Sequence, residues 1–226
     1  MGVALSVVIP VLNEADTIGG LLAQLAELGA EEVIVVDGNS SDHTAGVAQR
    51  CGARLVRMSP GRAMQMNAGA RASGGDAILF LHADVRLGPD SVAAIREALR
   101  DPQVAGGNLD ILYEGGDFPA ACFTRINRIR RRWGIFYGDS GIFCRRAVFE
   151  DLGGFKPIPI LEDYEFARRL WKGHKLALLD APIYVSARRW KKGGLLRTLW
   201  SWFWIQGLYM AGVSPDRLVR MYRVVR

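Results

Sequence analysis

The chain has 226 residues, half of them hydrophobic, enough for one large core or two small ones. Its formal charge of +6 is concentrated: Arg188–Arg226 holds nine basic residues against Asp216 alone, which leaves the first 187 residues slightly acidic. Cys51, Cys122 and Cys144 are widely spaced with no CxxC pair, which argues against a disulfide framework or structural zinc site and makes them small buried hydrophobes. Met1 leads almost directly into a β-like run with no basic-then-apolar leader, so a cytoplasmic chain is expected.

In chain order, Leu5–Ile9 reads as a strand and Ala15–Leu28 as a helix with Ile18, Leu21, Leu22, Leu25 and Leu28 on its apolar stripe. Glu32–Val36 is a second strand, and Ser41 or Asp42 suits the cap of a helix over Thr44–Arg50. Leu55–Arg57 is a short strand, Arg62–Ala72 a helix, Ala77–Leu81 a strand and Asp90–Leu99 a helix. This βα alternation predicts a mostly parallel central sheet flanked by helices. The second half is less regular: a strand over Val104–Tyr113, a helix over Pro119–Arg131, a buried strand over Ser140–Cys144, a Gly/Pro loop over Gly153–Pro159 and a helix over Glu162–Trp171. Residues 1–190 therefore form one domain, and 191–226 a basic, tryptophan-rich helical extension.

Thr198–Pro215 is uncharged and apolar on all faces, so it must be buried in something. Packing on the same domain or a second subunit through 195–215, an interfacial membrane helix and a span all fit the sequence. The arginines Arg125, Arg128, Arg130, Arg131 and Arg132 suit either an anionic partner or a solvated helix face.

No GxxxxGK[ST], strand-linked GxGxxG or GxSxG is present, which disfavours P-loop, dinucleotide and nucleophile-elbow chemistry. The informative feature is how three apolar runs end. Leu5–Ile9 runs into Pro10-Val11-Leu12-Asn13-Glu14, Val33–Val36 into Asp37-Gly38-Asn39-Ser40-Ser41-Asp42, and Ala77–Leu81 into His82-Ala83-Asp84. In open α/β sheets, ligands bind beyond the carboxyl ends of the strands. If the strand continues, His82 and Asp84 point the same way and can face one ion, the oxygen–nitrogen pattern of Mn²⁺ or Mg²⁺ held with substrate phosphates. Asp37 can accept a hydrogen bond from a base or ribose, or serve as a turn residue. Arg62, Gln65 and Asn67, on the stretch Gly61–Ala70, offer cationic and amide groups to a base or phosphate, while Met64 and Met66 suit the core. Glu162-Asp163, before a helix, is either a cap or a general base at the mouth of the site.

These segments, with Gly138-Asp139-Ser140-Gly141-Ile142-Phe143 and Leu161-Glu162-Asp163, resemble in order and spacing the motifs of inverting family-2 glycosyltransferases with the GT-A fold, over about residues 4–190. The Gly61–Ala70 stretch and the tryptophan-rich tail are similar to a subgroup associated by prediction with arsenosugar biosynthesis. The resemblance implies a Rossmann-like GT-A domain, with 1–110 as the nucleotide-sugar half and 111–190 as the acceptor half. It implies that Pro10, Asn13, Glu14, Asp37, Arg62, Asn67, Asp84, Arg189 and Lys191 bind the nucleotide-sugar, and that Asp139, Glu162 and Trp190 meet the acceptor. It makes Asp163 the catalytic base and Asp84, with His82, the holder of Mn²⁺ or Mg²⁺. The implied partners are a UDP- or GDP-sugar and a small or lipid-linked acceptor, with no nucleic acid, and the protein would work in the cytoplasm, at the inner face of the membrane if it docks there. Two departures stand out: His82-Ala83-Asp84 replaces the usual DxD, and Ser186 stands where QxxRW, ending here in Arg189-Trp190, has Gln, which argues against processive polymerisation. A nucleotidyltransferase or a silent nucleotide-sugar-binding protein are the competing readings.

Overall fold

The computed structural model describes residues 2–115, 117–186 and 204–221. Strands β1 (Leu5–Val11), β2 (Glu32–Asp37), β3 (Arg54–Arg57) and β4 (Ala77–Phe80) alternate with helices α1 (Ala15–Glu27), α2 (Thr44–Arg50) and α3 (Arg62–Ala72). Next come β5 (Val85–Leu87), α4 (Ser91–Ala98), β6 (Val104–Tyr113), α5 (Phe118–Arg131), a 3₁₀ turn (Gly138–Ser140) and β7 (Ile142–Arg145). Helices α6 (Arg146–Asp151) and α7 (Glu162–Gly173) precede β8 (Lys175–Val185). Helical residues 204–210 and Pro215–Met221 close the described chain.

The strands form one eight-stranded sheet in the order β3-β2-β1-β4-β7-β6-β8-β5. The first four are mutually parallel, as the βα alternation requires. The mostly parallel expectation holds: β6 and β8 run in the same direction as these four, and only β7, which runs against both β4 and β6, and β5, which runs against β8, oppose it. β7 enters the sheet at the edge where β4 leaves it, so the two must run in opposite directions.

Period-two alternation along β1 divides the core. Leu5, Val7, Ile9 and Val11 pack with Ile18, Leu21, Leu22 and Leu25 of α1 and Val92 and Ile95 of α4. Val8, Ile34, Val36, Ile78 and Phe80 face Ala63, Met66 and Ala70 of α3 and Phe149, Phe155 and Phe166, whose rings meet at 4.6–5.7 Å. β1 tolerates Pro10 because pairing with β4 ends at Val8–Phe80, so the missing N–H falls where no ladder bond is needed.

Three elements have no counterpart in the sequence reading: β5, α6 and β8. Pro182 masks β8. Between the pairs Asn108–Leu178 and Asp110–Pro182 the register slips over residues 179–181, a bulge in which Leu179 and Ala181 still pack against the core. Arg131 holds the bulge, donating to the Leu179 carbonyl at 2.7 Å and Asp180 Oδ1 at 2.9 Å. Arg128 donates to buried Asp110 at 2.8 Å, and Arg130 donates to the Tyr137 hydroxyl at 2.5 Å. Three of the five clustered arginines are therefore structural. Two smaller expectations also change: Cys51 and Met64 are exposed rather than buried.

The C-terminal segment lies partly within the described residues. Ile205, Gln206 and Leu218 are buried, and the Gln206 amide oxygen accepts from Tyr137 Oη at 2.8 Å and from Arg130. Tyr209 meets Tyr164 edge-on at 6.0 Å. The 204–210 helix thus docks on its own domain. Among the described residues no helix is long and apolar enough to cross a membrane.

Candidate active site

The strand order places the carboxyl ends of β2, β1 and β4 side by side, and β1 and β4 flank the point where the chain direction reverses across the sheet. At this edge the backbone leaves ordinary geometry. Asn13 (φ 56°), Asn39 (φ 61°) and Leu161 (φ 62°) are the non-glycine residues with positive φ among the described residues, and they precede α1, follow β2 and precede α7.

Side chains stitch the ends of β1 and β2 together. Asp37 Oδ1 accepts the Ser40 N–H at 3.0 Å, while Ser40 Oγ accepts the Asn13 N–H at 2.9 Å. Asn13 Oδ1 returns the contact by accepting the Ser41 N–H at 2.8 Å. The Glu14 N–H donates to Thr44 Oγ1 at 2.8 Å, and Asp42 accepts from the N–H groups of Ala15 (3.2 Å) and Thr44 (2.9 Å). Asp42 therefore ties the starts of α1 and α2 together. His43 occupies the N-cap position of α2 without a side-chain cap bond, and Asp42 supplies that bond by accepting the Thr44 N–H, as the sequence suggested.

Helix α3 explains the Gly61–Ala70 stretch. A Cβ on Gly69 would lie 2.3 Å from Val8 Cγ1 and 2.9 Å from Val36 Cγ2, so only glycine lets the helix lie this close to the sheet. Gln65 is buried and donates through Nε2 to the carbonyls of Val11 (2.9 Å) and Val36 (2.8 Å), clamping two strand ends from behind. Asn67 donates through Nδ2 to the Phe155 carbonyl at 2.8 Å and accepts the Phe155 N–H through Oδ1 at 2.9 Å. Both amides, expected to face a base or phosphate, are instead committed to backbone: Gln65 holds the strands and Asn67 the loop before α7.

Arg62 reaches from the start of α3 to the start of α7. Its Nε donates to Glu162 Oε1, and its Nη2 lies 3.9 Å from Asp163 Oδ2. Glu162 and Asp163 are only 2% and 6% exposed. Burial drives Glu162 above the ordinary carboxylate range and the Asp163 charge adds to the rise, with Arg62 opposing. Burial disfavours the Arg62 cation, but Asp163, Glu162 and Asp139 outweigh it, and the guanidinium is held more firmly charged than in water. Arg62 thus sits on the acid pair.

Asp163 is fixed by backbone. Its Oδ2 accepts the Gly138 N–H at 2.8 Å and its Oδ1 accepts the Tyr164 N–H at 2.7 Å. The antiparallel β4–β7 pairing, with Phe80 opposite Ile142, sets Gly138–Ser140 beside His82. A Cβ on Gly138 would come 2.8 Å from His82 Nε2 and 3.1 Å from Asp163 Oδ2. The imidazole tip and the carboxylate therefore pack on one side of the same backbone point. Tyr137 stacks on Tyr164 at 5.6 Å and burial raises its hydroxyl pKa, which keeps the phenol protonated.

The strand ends before His82, and Ala83 and Asp84 form a turn, so the expected i, i+2 pairing of His82 with Asp84 is not built on extended backbone. Asp84 is exposed at the open end of β4. No group of three or more His, Cys, Asp or Glu residues able to hold a metal occurs among the described residues. One exposed carboxylate fits a divalent ion carried mainly by substrate phosphates. His82 Nε2 is turned toward Gly138 and Asp163.

His82, Arg62, Asp139, Glu162 and Asp163 thus gather at one corner of the sheet edge, with Pro10, Asn13, Glu14 and Asp37 on the neighbouring strand ends. Arg189, Trp190 and Lys191 lie outside the described residues. Gly138 and Tyr137 have roles at the site that strand patterning could not reveal, since both depend on where β7 joins the sheet.

Residues 6–153 match the family model described as Glycosyl transferase family 2. An uncharacterized protein of Mycobacterium tuberculosis is 29% identical over 214 residues, covering 82% of this chain and 66% of its own length. The undecaprenyl-phosphate 4-deoxy-4-formamido-L-arabinose transferase of Edwardsiella ictaluri is 35% identical over 106 residues, 41% of this chain and 33% of its own. The chain thus spans two thirds or less of these two relatives. A PGL/p-HBAD biosynthesis glycosyltransferase of Mycobacterium bovis is 26% identical over 229 residues, covering 95% of this chain and 87% of its own. Among solved structures, a mannosyltransferase of Pyrobaculum calidifontis in complex with GDP-Man and Mn²⁺ superposes with a TM-score of 0.70 at 21% identity, over 92% of this chain and 62% of that one. A glucosyl-3-phosphoglycerate synthase of Mycobacterium tuberculosis, in complex with Mn²⁺, UDP and glucosyl-3-phosphoglycerate, gives 0.63 at 23%, over 81% and 71%. At these identities the structural likeness shows the shared GT-A fold alone. With the family model matched across both the strand-end loops and β7, the chain belongs to glycosyl transferase family 2.

Proposed function

We propose that this chain transfers a sugar from a nucleoside-diphosphate donor to an acceptor hydroxyl with inversion, one residue at a time. The observation that carries the reading is the buried Asp163, locked by two backbone N–H groups at the sheet edge from which Asp84 also projects. Residues 1–110 serve the donor, with Asn13, Glu14 and Asp37 about the nucleoside, and residues 111–190 serve the acceptor, with Asp139 and Glu162 at its side. Asp163 takes the proton of the acceptor hydroxyl as that oxygen attacks the anomeric carbon and the bond to the diphosphate oxygen breaks. A divalent ion at Asp84, when bound, supplies charge neutralisation to the departing diphosphate. Support for Mn²⁺ and for a GDP- or UDP-sugar comes from the two structural neighbours, whose complexes contain them. The Gly61–Ala70 stretch supports the arsenosugar-associated subgroup. Three free cysteines accord with action in the reducing cytoplasm.

The test is Mn²⁺-dependent hydrolysis of UDP-glucose and GDP-mannose, in which water takes the acceptor's place. Asp163→Asn should lower turnover by about 10²–10⁴-fold, the usual worth of a general base, while binding of UDP or GDP persists. Unchanged turnover would remove Asp163 from the mechanism.

A further inference from the structure

Exposed large apolar side chains are concentrated on and just after α5 and in the C-terminal helices. Seven occur among the described residues: Phe118, Ile129 and Trp133 on or just after α5, Trp204, Met210 and Met221 in the C-terminal helices, and Met64 alone elsewhere. Scattered exposed apolar residues need no explanation, but a cluster does. The Arg130 and Tyr137 contacts to Gln206 set the 204–210 helix beside the end of α5, near Ile129 and Trp133 in the chain.

At 100° per residue, Phe118, Cys122, Arg125 and Ile129 fall within one arc of α5, and Arg132 and Trp133 follow in the turn just beyond its last residue. Phe118 is 82% exposed, Trp133 73% and Ile129 52%. The opposite face carries Ala120, Phe123 and Arg131, all buried. Arg125 and Arg132 are exposed and form no ion pair among the described residues, unlike Arg128 and Arg131, which are anchored to Asp110 and Asp180. The helix therefore turns a second amphipathic face outward, aromatic and aliphatic groups interleaved with cations. That composition characterises helices lying in a membrane interface, where rings enter the headgroup boundary and arginines meet lipid phosphates.

We propose that α5, together with the adjacent 204–210 helix, docks the protein on the surface of an anionic phospholipid bilayer. Charge selects this occupant over a second copy of the chain: a second copy brings the same cations to the stripe, whereas an anionic bilayer brings phosphates of opposite sign. The surplus of basic residues over Arg188–Arg226 has the same sign and adds to the attraction. The inference does not depend on the glycosyl-transfer reading, because the stripe contains none of the residues assigned to the site.

The experiment is co-sedimentation of the full chain with vesicles of phosphatidylcholine alone and of an equimolar mixture with phosphatidylglycerol, at low and high salt. Binding should favour the phosphatidylglycerol vesicles and weaken as salt screens the charges. Each arginine near such a surface is worth about a fivefold change in partitioning, so R125Q/R132Q should lose roughly 30-fold. F118S/W133S should also release the protein, with thermal stability and donor hydrolysis unchanged. Failure to bind phosphatidylglycerol vesicles at low salt would overturn the proposal, as would double variants that bind like the parent. So would a parent dimer, seen by light scattering, that F118S/W133S converts to monomer without any vesicle binding.

Discussion

Gln65→Leu isolates the clamp between α3 and the strand ends. Leucine keeps much of the volume and the apolar contacts of the stem but removes Nε2, which donates to the carbonyls of Val11 and Val36 at 2.9 and 2.8 Å. The Val11 carbonyl retains the Gly38 N–H at 2.9 Å, so its loss is partial. The third contact, from the Gly61 N–H to Oε1 at 3.2 Å, lies near solvent and water can replace it. Two buried bonds at about 1 kcal/mol each give a destabilisation of roughly 2 kcal/mol. For a domain of this size that lowers Tm by about 4–8 °C. Because the clamp holds the ends of β1 and β2, which carry Asn13 and Asp37, affinity for UDP or GDP with Mn²⁺ should fall as well. Differential scanning calorimetry reads the first effect and titration calorimetry the second. A Tm unchanged by Gln65→Leu would refute the clamp, whereas a lowered Tm with unaltered nucleotide affinity would separate the clamp from the site.

Further predictions address other parts of the site. Asp84→Asn should weaken Mn²⁺-dependent UDP or GDP binding by at least the roughly 10–100-fold that indirect changes around a metal produce, while His82→Asn leaves it intact; equal losses in the two variants would return His82 to the metal. Glu162 has its folded pKa raised above the ordinary 4.5, so its contribution to stability is fully present below that value and is lost as pH rises through the elevated one. The parent should therefore lose Tm relative to Glu162→Gln as pH is raised above 4.5, and a pH-independent difference between them would contradict the assignment. Asn67→Ala should free the Phe155 loop and cost about 1–3 kcal/mol, since it leaves a backbone N–H and a carbonyl without their partner. Limited proteolysis near residue 155 would detect the loosening.

The sequence by itself determined the parallel half of the sheet and the chemistry at its edge. Apolar runs ending in Asn13, Asp37 and Asp84 mark strand ends because burial must stop where the strand leaves the core, and α2 and α3 begin and end where local pattern placed them. Tertiary structure decided which polar groups remained for a ligand. Gln65, Asn67, Arg128 and Arg131 look alike, as a sequence, to groups facing substrate, yet each is committed to a backbone or carboxylate partner 18 to 88 residues away. The position of His82 beside Asp163 likewise depends on β7 joining β4 antiparallel, a pairing made across more than 60 residues of chain. Local pattern reports whether a side chain will be buried, because burial follows periodicity. It cannot report which distant group will satisfy that side chain, because hydrogen-bond partners are chosen by the closing of the sheet.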